Sequence, residues 1–166
     1  MAPSSASVRL PEIVVGIVDL SRLIRELRAI GDALDQEQLR SKRGIDSNAP
    51  PKMSRSLEEF VSLNHIDLSA KKEREDVCRF LEDLRSRAMV VHISFATDPS
   101  ASFTSRIVAW FRAEVHPLVL IQVGLQPNIA AGCIVRTENK YFDFSLRHRF
   151  SDNRKLLVDM IEGQHE

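Results

Sequence analysis

Pro127 to Phe150, P-N-I-A-A-G-C-I-V-R-T-E-N-K-Y-F-D-F-S-L-R-H-R-F, leaves this chain few ways to fold. An apolar run ends at Arg136, a polar turn follows, a second run ends at Asp143, and Ser145 stands where a helix can begin. The pattern predicts a β-hairpin, with strands over 131–137 and 140–144, leading into a helix. Side chains in a strand alternate faces. Cys133, Val135, Phe142 and Phe144 therefore share one face, and Ile134, Arg136, Tyr141 and Asp143 the other. The first face suits a core and the second water or a partner. A one-residue slip would mix the two sets and is rejected. A two-residue loop at Glu138-Asn139 pairs Thr137 with Lys140, Val135 with Phe142 and Cys133 with Phe144. A four-residue loop keeps the same faces and sets Arg136 opposite Asp143. Glu138 fits poorly at a position that needs positive φ, so both loop lengths stay open.

Gly132 inside the first strand signals a bulge or a close neighbouring backbone. Ser145 can cap the last helix. Leu146, Phe150, Leu157, Met160 and Ile161 give that helix an apolar stripe, with Arg147, Arg149 and Arg154 mostly outside it.

Upstream, Met89–Phe95 reads as a strand. Asp98-Pro99-Ser100 can launch a helix through Arg112, heavily buried through Phe103, Ile107, Trp110 and Phe111. Pro117 ends it, and Leu118–Val123 is an almost unbroken apolar strand suited to a central position. A strand–helix–strand unit implies parallel strands. The expected fold class is α+β: N-terminal helices, then a mixed four-stranded sheet in the order β-α-β-β-β-α, packed with helices.

The N-terminal part divides further. Residues 1–9 are small and polar, without an apolar signal core, and read as a disordered tail. Residues 10–42 form a helical arm, with Pro11 in its first turn. Ile13, Ile17, Leu20, Ile24, Leu27 and Leu34 lie at three- and four-residue steps, and Gly31 takes the missing place in the stripe. Val14, Leu23 and Ile30 widen it, so it suits either this domain's own core or a partner. Residues 43–53, with a glycine and paired prolines, read as a linker. Residues 54–88 are a helical segment: a short helix with a Ser56/Glu59 capping box, then a longer one over 69–87 burying Val77, Phe80, Leu81 and Leu84. The C-terminal α/β domain spans 89–163.

The hairpin resembles the C-terminal signature of the F-type ATP synthase delta subunit, the family of the oligomycin-sensitivity-conferring protein. Pro127, Ala131, Gly132, Arg136, Lys140, Asp143, Ser145, Arg147 and Arg149 match its pattern without a gap, and Val90–Ala96 resembles its first strand. Gln126 replaces an acidic residue, Ala131 replaces the first of two glycines, and the turn lacks a glycine. The resemblance covers roughly Met89 to Ile161. Upstream, about three helices stand where the family has a six-helix bundle. It implies a structural subunit of the peripheral stalk on the cytoplasmic face of the membrane. Its partners would be the stalk b subunits and the N-termini of the alpha subunits, and it would meet the membrane only through those subunits. Ile134, Arg136, Tyr141, Asp143, Arg147 and Arg149 are the expected partner-binding residues. Pro127, Ala131, Gly132, Lys140 and Ser145 are the expected structural motif. The alternative is a free-standing α+β interaction adaptor unrelated to the motor.

Other chemistries find little support. The chain has 166 residues, with 23 basic and 23 acidic, so no global charge draws it to nucleic acid or an anionic membrane. Arg136–Lys155 is locally basic but has few interleaved aromatics, so no stacking platform for RNA is read there. Hydrophobic content of 43% and charged content of 28% are ordinary. Cys78 and Cys133 lie far apart in no metal or redox spacing and suit a reducing cytoplasm. His92, Ser94 and Asp98 lack the nucleophile elbow and oxyanion loop of a hydrolase. The histidines show no zinc spacing, and no phosphate-binding glycine loop occurs. The expectation is therefore no catalytic residue, no cofactor, no metal, no small-molecule substrate and no nucleic-acid partner.

Overall fold

A computed structural model describes residues 8–43, 52–129, 131–146 and 158. Its elements are α1 (Ile17–Lys42), α2 (Arg55–Asn64), α3 (Lys71–Arg87), β1 (Val90–Phe95), α4 (Ala101–Glu114), β2 (Leu120–Leu125), β3 (Cys133–Arg136) and β4 (Tyr141–Asp143). The fold is α+β: three N-terminal helices, then a mixed four-stranded sheet of order β2-β1-β3-β4 with α4 interleaved. β1 and β2 run parallel, and β3 is antiparallel to both β1 and β4.

The first helix starts at Ile17, not Pro11. Before it, the chain is used to join elements. Val8, Leu10 and Val14 are buried with the helices, and Arg9 exchanges hydrogen bonds with the Asn64 side chain. Part of the expected 1–9 tail is thus packed; residues 1–7 lie outside the described residues. The Ile121 N–H donates to the Val15 carbonyl at 2.9 Å, and a methyl group on Gly16 would stand 2.8 Å from the Ile121 carbonyl oxygen. Asp19 accepts from the Val15 and Gly16 N–H groups and caps the helix start. Arg112 on α4 donates to the carbonyls of Leu10, Pro11 and Val14. Burial pushes its pKa down to about 10.

The α1 stripe packs on this chain's own helices. Leu20, Leu23, Ile24, Leu27 and Ile30 are buried with Leu57, Phe60, Val77 and Leu81. Gly31 is not a gap in that stripe. Arg74, 4% exposed, occupies the space beside it: its Nε would lie 3.3 Å from a Cβ on residue 31. Arg74 is ion-paired with Asp35 and donates to the carbonyls of Leu68 and Ser69. A buried charge persists only when paired and hydrogen-bonded in this way. The short second helix is capped by Ser54, not Ser56. The Ser54 hydroxyl accepts from Leu57 N–H and donates to Glu26 of α1. The third helix begins at Lys71 without a side-chain cap, and Phe80 and Leu84 pack against the core half-buried. The expected linker falls mostly on residues 44–51, outside the described residues.

Two further expectations are corrected. The apolar run at Leu118–Val123 forms an edge strand, not a central one. Its outer edge is met by Val15, and its two faces serve different clusters: Leu120 packs with the helices, Ile121 with the sheet. Cover on both faces and part of one edge explains the apolar run without a central position. Second, α4 is not heavily buried. Val108 alone is fully covered, while Phe103 and Trp110 are exposed.

Replacing Arg112 with Met keeps the length of the stem and removes every bond to the N-terminal segment. The expected loss is about 3 kcal/mol, since three carbonyls lose a charged donor; urea unfolding measures it.

Lys71, through a hydrogen bond, and the charge of Arg74 hold the Asp35 carboxyl below its ordinary value. A depressed carboxyl stabilises the fold above its unfolded pKa, and this contribution is lost as pH falls through the folded value. The stability difference between wild type and Asp35→Asn should be largest near neutrality. It should shrink on acidification below about pH 4. A difference constant with pH would refute this.

Candidate docking groove and hairpin faces

The hairpin takes the two-residue-loop register. Arg136 faces Tyr141, Val135 faces Phe142 and Ile134 faces Asp143. The Thr137 N–H donates to the Lys140 carbonyl at 2.9 Å, while the Lys140 N–H donates to the Thr137 hydroxyl at 3.1 Å. Neither Glu138 nor Asn139 has positive φ, so the turn is not a primed one. The Thr137 side chain supplies the acceptor in its place.

The strands are shorter than expected, and Gly132 lies just before β3. Its φ is +91°, and a methyl group there would collide with the Phe144 carbonyl. The base of the hairpin stays closed through Phe144 N–H to the Cys133 carbonyl and Leu146 N–H to the Ala131 carbonyl, both 2.9 Å. Pro127 opens a short 3-10 turn, Pro127–Ile129, that buries Ile129. The Ser145 N–H donates to the Asp143 carboxylate. The helix expected after Ser145, with Arg147 and Arg149, lies outside the described residues, as do Phe150, Leu157, Met160 and Ile161.

One sheet face is polar and open. Gln122, His92, Arg136 and Tyr141 form one cross-strand row; Gly124, Ser94, Ile134 and Asp143 form the next. Arg136, Tyr141 and Asp143 are exposed, whereas Ile134 is buried. Ile134, Arg136 and Tyr141 border a hollow with His92, Ser94 and Gln126. His92 and Ser94 share this face, and no described hydrogen bond links them to each other or to Asp98. No cluster able to hold a metal is found among the described residues. No described helix is long and apolar enough to cross a membrane.

The opposite face carries the more distinctive feature. Val91, Ile93, Phe95, Cys133, Val135, Phe142 and Phe144 form the floor of a groove of about 860 Å³, and α4 forms its wall. Phe103, Ile107 and Trp110 line that wall at i, i+4 and i+7, one stripe of a helix. The expected core face of the hairpin thus stays largely open: Phe142 is 44% and Phe144 62% exposed, and Trp110 is 58% exposed. The Phe142 and Phe144 rings stack at 6.2 Å, and Trp110 meets Phe111 edge-on at 4.9 Å. Arg106 and Lys140 are the charged residues on its lining. Burial pushes the Cys133 thiol pKa up, so its nucleophilic thiolate is disfavoured.

This groove has a broad apolar floor with aromatic walls, which matches helix-in-groove recognition. The sequence reading took Phe103, Ile107 and Trp110 as buried and missed this stripe; the signal it left unused is Val108, about 100° around α4 from Ile107, so one sheet contact cannot bury all four.

No protein-family model matches the chain, and no curated protein matches it.

Gly132→Ala should cost about 2–3 kcal/mol, at the upper end of ordinary substitutions, because it meets both a positive φ and the Phe144 carbonyl. Arg136→Ala, at an exposed position, should change stability by less than about 0.5 kcal/mol. Equal effects in chemical denaturation would contradict this account of the hairpin.

Proposed function

We propose that this chain is a delta-like connector of the peripheral stalk of an F-type ATP synthase, non-catalytic and without a cofactor. The open apolar groove between α4 and the hairpin carries this reading. It is a surface that suits one face of an amphipathic helix, and the stalk b subunits supply helical ends in the family that the hairpin resembles. Contiguous exposed aromatics on this scale mark an interaction site. The groove moves the favoured docking position from the Arg136–Tyr141 face to the Phe142–Phe144 face. The polar face, with Arg136, Tyr141 and Asp143, and Arg147 and Arg149 beyond it, is left for flanking contacts. Attachment to alpha-subunit N-termini falls to α1–α3, and any membrane association comes through the partner subunits.

A second reading is a free-standing interaction adaptor with the same groove. It is favoured by the N-terminal helices, which share their core with the sheet through Leu120 and do not form a separate bundle.

The readings part on one titration. A peptide from the C-terminal end of the b subunit encoded in the same genome should bind the full chain and shift Trp110 emission to the blue. Phe142→Asp should weaken that binding at least about tenfold, equal to 1.4 kcal/mol, with little effect on folding. No binding of this peptide, with the fold intact, would leave the adaptor reading in its place.

A further inference from the structure

We infer, resting on the reading of this groove as a helix-docking site, that its occupant is an amphipathic helix with carboxylates flanking the apolar stripe. Its C-terminal end lies at Lys140.

The groove's lining holds two charged side chains, Arg106 and Lys140, and no acid. The whole chain is balanced, with 23 basic and 23 acidic residues, so the bias is local. Glu138, the acid nearest Lys140 in sequence, borders the hollow on the opposite sheet face. Arg106 and Lys140 are exposed. Among the described residues, neither side chain has an ion pair or a hydrogen bond. A partner that lays carboxylates beside them gains charge-assisted contacts. A basic partner meets two uncompensated like charges.

The two ends of the groove differ. Phe103 of α4 meets Phe95 edge-on at 5.9 Å. Phe95 pairs with Cys133, whose carbonyl accepts from the Phe144 N–H. That end is aromatic and uncharged. Arg136 pairs with His92, so Thr137, bonded to Lys140, falls at the other end, beside Val91. The α4 helix finishes at this second end, because the strand that follows it starts with Leu120 N–H on the Met89 carbonyl. Arg106 stands between the ends. It lies about 160° around α4 from the buried Val108, which puts it on the outer lip of the wall.

A helix carries partial negative charge at its C-terminus and partial positive charge at its N-terminus. Setting the C-terminus at Lys140 joins opposite charges, whereas the reverse orientation joins like ones. The docked helix therefore runs in the same direction as α4.

Trp110 on the groove wall is the chain's sole tryptophan and reports occupancy. The full-length chain, as wild type and as Lys140→Gln, is titrated with tryptophan-free helical peptides that share one leucine-rich stripe. One has glutamates in its last turn, an isomer has the same glutamates in its first turn, and a control has lysines in their place. The expected result is a blue shift of Trp110 with the last-turn glutamate peptide. Lys140→Gln should weaken that binding roughly two- to fivefold and leave the first-turn isomer unaffected. Equal weakening of both isomers, or of neither, would overturn the placement of the C-terminus at Lys140. A lysine peptide that binds as tightly as the last-turn glutamate peptide would overturn the acidic flank. No shift with either glutamate peptide would overturn the helix as occupant, and a shift with phosphatidylserine vesicles in that case would mean a lipid surface. The b-subunit peptide tests the connector separately. If it fails to bind while the glutamate helix binds, the connector reading falls and the acidic-helix site stands.

Discussion

The guanidinium of Arg112 fixes how the two parts of this molecule meet. It stands on α4 and donates to three carbonyls of the segment that precedes α1. That segment also accepts from the edge of β2 at Ile121. Breaking these contacts would strip cover from an edge strand and free Val14 and Val15, which pack into the helix and sheet clusters respectively. The bond set also orients α4. Arg112 lies about 180° around the helix from Phe103, at 100° per residue. With Arg112 and Val108 turned inward, Phe103, Ile107 and Trp110 must turn the other way. The groove wall is thus a geometric consequence of the clasp.

A second buried cation plays the same part within the helical layer. Gly31 leaves room on α1, and Arg74 of α3 fills it, held by Asp35 and by the carbonyls that precede α3. Losing Asp35 would leave the buried Arg74 charge without its carboxylate, which is far costlier than the pair itself is stabilising. Both arginines do what helix caps and strand partners do elsewhere: they collect carbonyl groups that the regular elements cannot satisfy.

What could be read from the sequence follows from the range of the forces involved. The hairpin faces, the demand for glycine at position 132 and the α+β order depend on alternation and backbone sterics, so they were legible over a few residues. The loop length was not, because it turned on whether the Thr137 hydroxyl would replace a backbone acceptor. Ser54 outcompetes Ser56 as the cap through Glu26, a residue on another helix. The Leu118–Val123 run misled because apolar content reports cover and not place in a sheet; at β2 some of that cover comes from the N-terminal segment. Arg74 gave no signal at all, since an arginine in a charged stretch reads as solvated. As for the candidate site, its floor was legible as an apolar face, but its openness was not. Openness depends on how many helices lie over the sheet.

That number also decides what the groove is for. Adjacent strands lie about 4.8 Å apart, so four strands span roughly 14 Å between outer axes. Packed helices stand 8–10 Å apart, and one helix therefore covers only about half of such a sheet. Here α4, through Val108, packs where Val91, Ile93, Val119 and Ile121 converge, on the β1–β2 half. The β3–β4 half keeps an apolar face because its alternation places Cys133, Val135, Phe142 and Phe144 there. This arithmetic leaves room for a second helix on that half. On the connector reading a partner helix fills it, and Trp110 and Phe142 on the groove lining lose contact with water when it docks.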